Sequence, residues 1–347
     1  MAYDLPLCLT GTETPTLVYD LPKLLRNAER LLRLCSVSGA TPLISLKANR
    51  NVKIVNRLFT MGYGADVASP HELSLVRRCG VQHLSATSPG LTPHMFGQVD
   101  AAGGCVYFDS LDQINEVVDA GFDPTGHGIR IAVPGRYSRF GVSPVEARTS
   151  VVVEYGLHRR LHFHGGEYKN LQDVDRRADY VKGTSSDLGC KELNLGGGYA
   201  VLSNEWRVLR SAFERFRVLT ESLECALFVE FGRVLFARYA SLAVRVLSVK
   251  TAAGAQVVVV DASAWNVGPW DTHRLRVKDA ETSEEALLTT VMGNTCFERD
   301  VFVFDQPFRR LVPGDVVLLS GFGAYAESLL GQLHGLAPPH IVTEWRV

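Results

Sequence analysis

The sequence has almost no net charge: 36 Lys and Arg stand against 37 Asp and Glu, leaving −1 overall. That balance removes the electrostatic case for a nucleic-acid partner or an anionic membrane, while leaving room for local clusters that bind small anions. No apolar run reaches the length of a membrane span. The opening stretch, MAYDLPLCLTGTETP, has no basic segment followed by an apolar core, so no signal peptide is expected. The seven cysteines are scattered, odd in number and form no C-x-x-C pair. They suit neither a disulfide framework nor a zinc site, and no metal ligand set is expected. Low-complexity tracts and long linkers are also missing. The expectation is a soluble protein of the reducing cytoplasm, large enough at 347 residues for one big domain or two ordinary ones.

What is present is alternation. After TLVYD, a leucine-rich helical pattern (LPKLLRNAERLLRLCSVSG) leads to eight strand-like runs between Leu43 and Arg233. They are TPLISLKAN, YGADVAS, VQHLSATS, CVYFDS, GIRIAV, LHRRLHFHGGE, KELNLGGGY and ALFVEFGR. Most gaps hold helical patterns, such as VKIVNRLFTMG and WRVLRSAFERFRVL. Such alternation predicts a parallel sheet, and eight repeats are the count that closes a (β/α)8 barrel. A doubly wound open sheet remains the alternative from the pattern alone. After Arg233 the pattern becomes β-rich (YASLAVRVLSVK, QVVVVDAS, DVFVFD, DVVLLSG), with a helical pattern only at AYAESLLGQL. The expected organisation is an α/β barrel over 17–236 and an all-β domain, barrel or sandwich, from 1–16 plus 237–347 that takes in the N-terminal strand.

Polar residues fall where the expected barrel strands end, the face on which such barrels carry their active sites. Lys47 closes the first run, Asp66 the second, and Arg130 lies in the fifth. His162 and His164 lie in the sixth, Gly196, Gly197 and Gly198 close the seventh, and Glu230, Gly232 and Arg233 close the eighth. Singly, each has a bland account: a snorkelling lysine, core histidines, a glycine loop, a surface arginine. Taken together they are an amine nucleophile, a backbone cradle for phosphate, a flat aromatic partner and an acid. Those are the parts that hold pyridoxal 5'-phosphate.

Over nearly its whole length the chain resembles the pyridoxal-phosphate decarboxylases built on an alanine-racemase-type barrel, the diaminopimelate and ornithine decarboxylase group (fold-type III). The resemblance rests on SLKAN, GADVASPHEL, IRIAVPGRYSRFGV, HFHGG, NLGGGY, VEFGR, GNTCFERDVF and GAYAES, in family order. It implies that Lys47 carries the cofactor as a Schiff base and that His164 lies on the pyridine face. It implies further that Glu230 meets the pyridine nitrogen, while Arg233, Tyr325 and the Gly196–Gly198 amides hold the phosphate. Asp66 and Arg130 complete the cofactor site, and Cys296 reprotonates the carbanion left by CO2. In this family that cysteine comes from the other subunit, which implies a homodimer with shared sites.

Where the substrate is met, the chain departs from its relatives. Phe297 stands where ornithine and diaminopimelate decarboxylases carry an acid, with Glu298 one place later, and Asp271 in GPWDTH stands for the other acid. Glu167 replaces the serine that donates to phosphate, and is expected to point elsewhere, because a carboxylate repels phosphate. Arg136, Arg139 and Arg299 offer carboxylate binding on a larger substrate, as in siderophore-pathway members that act on a citrate-conjugated diamino acid. The expected activity is α-decarboxylation of a diamino acid, of its conjugate or of a polyamine-type intermediate. The alternatives are an amino-acid racemase on the same scaffold and a non-catalytic, regulatory pyridoxal-phosphate binder.

Overall fold

The computed structural model describes residues 13–134, 138–268, 274–276 and 286–343. Contacts divide the chain into two compact units, Asn27–Leu235 and the flanking Met1–Arg26 with Phe236–Val347. Along the chain, β1 (Thr16–Tyr19) and α1 (Leu21–Ser38) precede the first barrel strand, β2 (Ala40–Ser45). Then follow α2 (Val52–Thr60), β3 (Gly64–Val67), α3 (Pro70–Arg77), β4 (Leu84–Ala86), α4 (Pro93–Asp100) and β5 (Cys105–Phe108). Next come α5 (Leu111–Asp119), β6 (Gly128–Ile131), α6 (Ser150–Glu154), β7 (Arg160–Phe163), α7 (Leu171–Leu188) and β8 (Glu192–Asn194). The barrel ends with α8 (Trp206–Leu223), β9 (Ala226–Phe231) and α9 (Arg233–Phe236).

Strands β2 to β9 form a closed barrel in sequence order, every neighbour parallel, and β9 returns to pair with β2. The barrel reading therefore holds over the open sheet. Polar caps start the helices: Asn51, Ser69, Thr92, Ser110 and Asn170 each accept the backbone N–H three residues on. Helix α8 buries Leu209, Ala212, Phe213, Phe216, Leu219 and Thr220, the spacing of one helical face. Phe213 and Phe216 meet Tyr199, and Phe213 also packs on Phe231, so the outer face of β9 is sealed by aromatic rings.

Among the described residues, the β unit is an eight-stranded sheet in the order β12-β15-β10-β11-β13-β14, with β1 beside β10 and β16 beside β1. Its strands are β10 (Ala240–Ala252), β11 (Ala255–Val260), β12 (Arg274–Arg276), β13 (Leu287–Met292), β14 (Val301–Phe308), β15 (Val316–Ser320) and β16 (His340–Val342). Strand β1 pairs antiparallel with β10 (Thr16↔Ala243) and parallel with β16 (Thr16↔His340), as its place in the β-rich part predicts. The helical pattern of AYAESLLGQL is not realised: the chain forms only a 3-10 turn, Glu327–Leu329. Tyr325 holds φ at +66° and Leu330 leaves the helical region with ψ at 122°, so the segment between them is too short for an α-helix. Among the described residues no helix is long and apolar enough to cross a membrane.

Candidate active site

One layer of the barrel is polar. Strand register sets Ser45 beside Asp66 and Asp66 beside Ser85; across the barrel it sets Arg130 beside His162 and His162 beside Asn194. Leu43 lies opposite Glu230 where β2 meets β9. Asp66, Ser85, Arg130, His162, Asn194 and Glu230 are all buried. Their strand neighbours Ala65, Ile129, Ile131, Leu161, Phe163, Leu193, Val229 and Phe231 are apolar and buried as well. Side chains alternate across a strand, so the polar set faces inward while the apolar set faces the helices.

Lys47 lies on the 3-10 turn Leu46–Ala48, two residues past the end of β2 and not on the strand itself. Its Nζ is 3.7 Å from Oδ2 of Asp66. Ser85 Oγ donates to the other oxygen of Asp66 at 3.0 Å. Burial, and then the nearby Glu230, push the Asp66 carboxyl well above the usual carboxylate range, against the opposing pull of Lys47 and Ser85. Ser69 and Glu72 of the same motif serve the backbone. Ser69 Oγ accepts the Glu72 N–H, and Glu72 Oε2 accepts the Ala68 N–H at 2.7 Å.

Glu230 has the opposite fate. Its Oε1 takes His162 Nε2 at 3.0 Å and Asn194 Nδ2 at 3.1 Å. Burial alone would raise this carboxyl, yet His162 and its hydrogen bond hold it below the ordinary range. Burial drives His162 toward its neutral form, so the imidazole donates from Nε2. Its Nδ1 is buried with no hydrogen-bond partner, the position of a bare acceptor nitrogen. Two carboxyls on one rim are thus driven apart, one toward the acid and the other toward the anion. In the sequence, His162 reads as a core histidine and Asn194 is not singled out. The readable signal was that both lie at inward positions on strands beside the one that carries Glu230.

His164 accepts the Gly197 N–H on Nδ1 at 3.0 Å, which leaves its proton on Nε2. Burial pushes this imidazole down to about 3, so it is neutral near pH 7. A Cβ on Gly196 would meet the His164 ring at 2.7 Å, and one on Gly198 would meet the Gly166 carbonyl oxygen at 2.3 Å. Gly196 and Gly198 also hold φ at +59° and +101°. The glycines are therefore required for the ring and the loop to lie this close. Arg130 donates to Asp109 Oδ1 at 3.3 Å, and the Gly141 N–H reaches the same oxygen at 3.2 Å. Arg139 is exposed beside Phe140.

Glu167 departs from expectation. It does not point away from the loop: its Oε1 is 2.7 Å from Arg233, and its Oε2 accepts the Ala200 and Val201 N–H groups at 3.0 and 3.3 Å. The carboxylate is tolerated because a guanidinium and two amides neutralise it.

Most of the remaining residues singled out in the sequence belong to the β unit. Cys296, Phe297, Glu298 and Arg299 are exposed on the loop between β13 and β14. That loop is organised by Asp300, which accepts the Ala264 N–H at 2.8 Å, the Thr295 hydroxyl at 2.5 Å and the Thr295 N–H at 3.2 Å. Gly293 packs against it so closely that a Cβ would meet the Asp300 carboxylate at 2.3 Å. Tyr325 sits in the left-handed region at φ +66°, an outlier for a bulky residue. Asp271 and Arg136 lie outside the described residues. Among the described residues no group of three or more metal-ligating side chains gathers.

A family model described as "Pyridoxal-dependent decarboxylase, C-terminal sheet domain" matches residues 16–323. The 2-[(L-alanin-3-ylcarbamoyl)methyl]-2-hydroxybutanedioate decarboxylase of Staphylococcus aureus is 26% identical over 335 residues, covering 82% of this chain and 82% of its own. Diaminopimelate decarboxylase of Helicobacter pylori is 22% identical over 365 residues, covering 92% of this chain and 87% of its own. A crystal structure of the Helicobacter pylori enzyme complexed with L-lysine has a TM-score of 0.84 at 21% identity, covering 96% of this chain and 92% of that one. At that identity the likeness establishes the fold.

Proposed function

Because this chain belongs to the pyridoxal-dependent decarboxylase family, we propose that it removes the α-carboxyl of an amino acid joined to a carboxylate-rich group. The observation that carries the decarboxylase reading is the buried Glu230 carboxylate, held by two donors on one oxygen. The barrel fits pyridoxal phosphate: Gly196 and Gly198 of the glycine cradle cannot accept a Cβ, and amine, carboxylate and neutral imidazole share one rim. When bound, the group supplies an electron sink for the pair left behind by CO2.

Each residue then has a task. Lys47 binds the cofactor through its amine, with Asp66 close enough to orient it. Glu230 stays ionised, so it keeps a proton on the pyridine nitrogen, and His162 with Asn194 fix the direction of that carboxylate. His164, locked by the Gly197 amide, offers a flat neutral face that limits tilt. Arg130 belongs to the same polar layer, with Asp109 setting its guanidinium. Arg233, the Gly196–Gly198 backbone, Gly232 and Tyr325 are the phosphate anchors. Cys296 returns a proton to the carbon that has lost CO2.

We assign the assembly as a homodimer in which Cys296 of one subunit serves the barrel of the other. Its support is the exposure of that thiol beside an aromatic pair, Trp265 and Phe297, 46% and 52% exposed with ring centroids 5.7 Å apart. The substrate class rests on Phe297 in place of an acid, on the exposed Arg139 and Arg299, and on the staphylococcal relative, whose name describes a carboxylate-rich conjugate. Arg136, Asp271 and Glu298 complete the proposed substrate contacts. CO2 release should be assayed with free diamino acids and with their amides to hydroxy-tricarboxylic acids, which keep two free carboxylates. The conjugates should turn over best; efficient turnover of free lysine, ornithine or diaminopimelate would sink the substrate class. Loss of optical activity without CO2 would sink decarboxylation itself.

A further inference from the structure

Glu167 is an acid in the middle of an anion cradle. Both of its oxygens are used, one by Arg233 at 2.7 Å and the other by the Ala200 and Val201 amides at 3.0 and 3.3 Å. Its backbone is pinned separately. Arg177 donates to the Gly166 and Glu167 carbonyls at 2.9 Å each, and is itself bridged to Asp173 at 2.9 Å and laid over the Tyr168 ring. The Tyr168 N–H donates to the Gly198 carbonyl at 2.8 Å, which ties this loop to the glycine loop. The loop backbone that carries the carboxylate is therefore held by contacts that do not depend on its charge.

We propose that Glu167 is a positioning residue that shares Arg233 with the cofactor phosphate, weakening the anchor and making it sensitive to pH. The inference rests on the reading of Arg233 as a phosphate anchor. A guanidinium carries one positive charge, and the carboxylate already draws on it. A phosphate on the same guanidinium then faces a second anion across a few ångströms of partly exposed protein, where Coulomb energies remain appreciable. The penalty grows as the phosphate passes from monoanion to dianion, near its second pKa of about 6. Salt screens it.

The test is titration of the full-length, cofactor-free protein with pyridoxal phosphate and, separately, with pyridoxal, which has no phosphate. Wild type, Glu167→Gln and Glu167→Ser are compared across pH and salt, with inorganic phosphate as competitor. Glu167→Gln should bind pyridoxal phosphate roughly tenfold more tightly while pyridoxal affinity stays the same. That ratio should widen as pH rises through about 6 and narrow at high salt. Glu167→Ser should shift in the same direction, and it decides the matter if the Gln variant fails to fold. Unchanged or weaker binding of pyridoxal phosphate by the variants overturns the proposal. So does a parallel shift for both ligands, which would mean that Glu167 only braces the loop. If wild type and both variants fail to bind pyridoxal phosphate at all, the cofactor reading falls and this inference with it. That outcome is distinct from equal affinities.

Discussion

The barrel rim and the loop of Cys296 hold reactive groups still in opposite ways. On the rim, Asp66, Arg130, His162, Asn194 and Glu230 are buried and set by the register of parallel strands. On the loop, residues 296–299 are exposed, and one buried carboxylate, Asp300, gathers the backbone and the Thr295 hydroxyl. Redundancy separates the two. The rim shares its load among strand hydrogen bonds that no single side chain controls. The loop has its load on one residue. A buried carboxylate with three partners leaves those donors unpaired when it is removed, which costs about 1–3 kcal/mol for each buried group stranded.

The comparison breaks first at Lys47. Lys47→Ala should lower CO2 release by at least about a thousandfold and abolish the visible absorption band of bound cofactor. Compared without cofactor, the two proteins should melt at nearly the same temperature, because the half-exposed side chain is not part of the barrel core. A retained band in that variant would remove Lys47 from its proposed role.

The loop gives the next largest effect. Cys296→Ala should lower kcat by about a hundredfold while cofactor affinity stays the same. Asp300→Ala should lower kcat too, but by releasing the loop, and should also lower the melting temperature. If Asp300→Ala left both the melting temperature and kcat untouched, the contrast between a distributed rim and a single-residue loop would be lost.

The smallest effect sharpens the barrel side. His164 has a folded-state value of about 3, against about 6.5 for an unperturbed imidazole, so the unfolded chain takes up a proton that the folded barrel refuses. This contribution is fully present above about pH 6.5 and is lost as the pH falls toward 3. Because the side chain is partly exposed, about 1–3 kcal/mol is the scale to expect. Denaturant melts of the cofactor-free protein over that window measure it, and His164→Gln should flatten the profile.

Much of this was legible in the chain itself. Eight apolar runs separated by helical patterns are a local signal, because strand and helix periodicity need no distant partner. Eight repeats pointed to a barrel but left an open sheet as the alternative, and only the pairing of β9 with β2 closes it, as only the pairing of β1 with β10 fixes the N-terminal strand. Lys47, Glu230 and Arg233 stood out because each follows an apolar run at a barrel-strand end. Less could be read where partners lie far apart. His162 and Glu230 are separated by 68 positions and Asn194 and Glu230 by 36, and only register brings them together. Glu167 looked like a repulsive substitution because its compensating groups, Arg233 and the amides of Ala200 and Val201, lie on other segments.

By itself, the sequence determined which residue types stand at strand ends, since hydrophobic periodicity and glycine positions are local properties of the chain. Only the tertiary structure decided their chemical state. Burial beside Glu230 raises Asp66, while His162 lowers Glu230, and a neutral His164 receives the Gly197 amide. Desolvation and through-space charge depend on distances between segments, and closure of the barrel sets those distances.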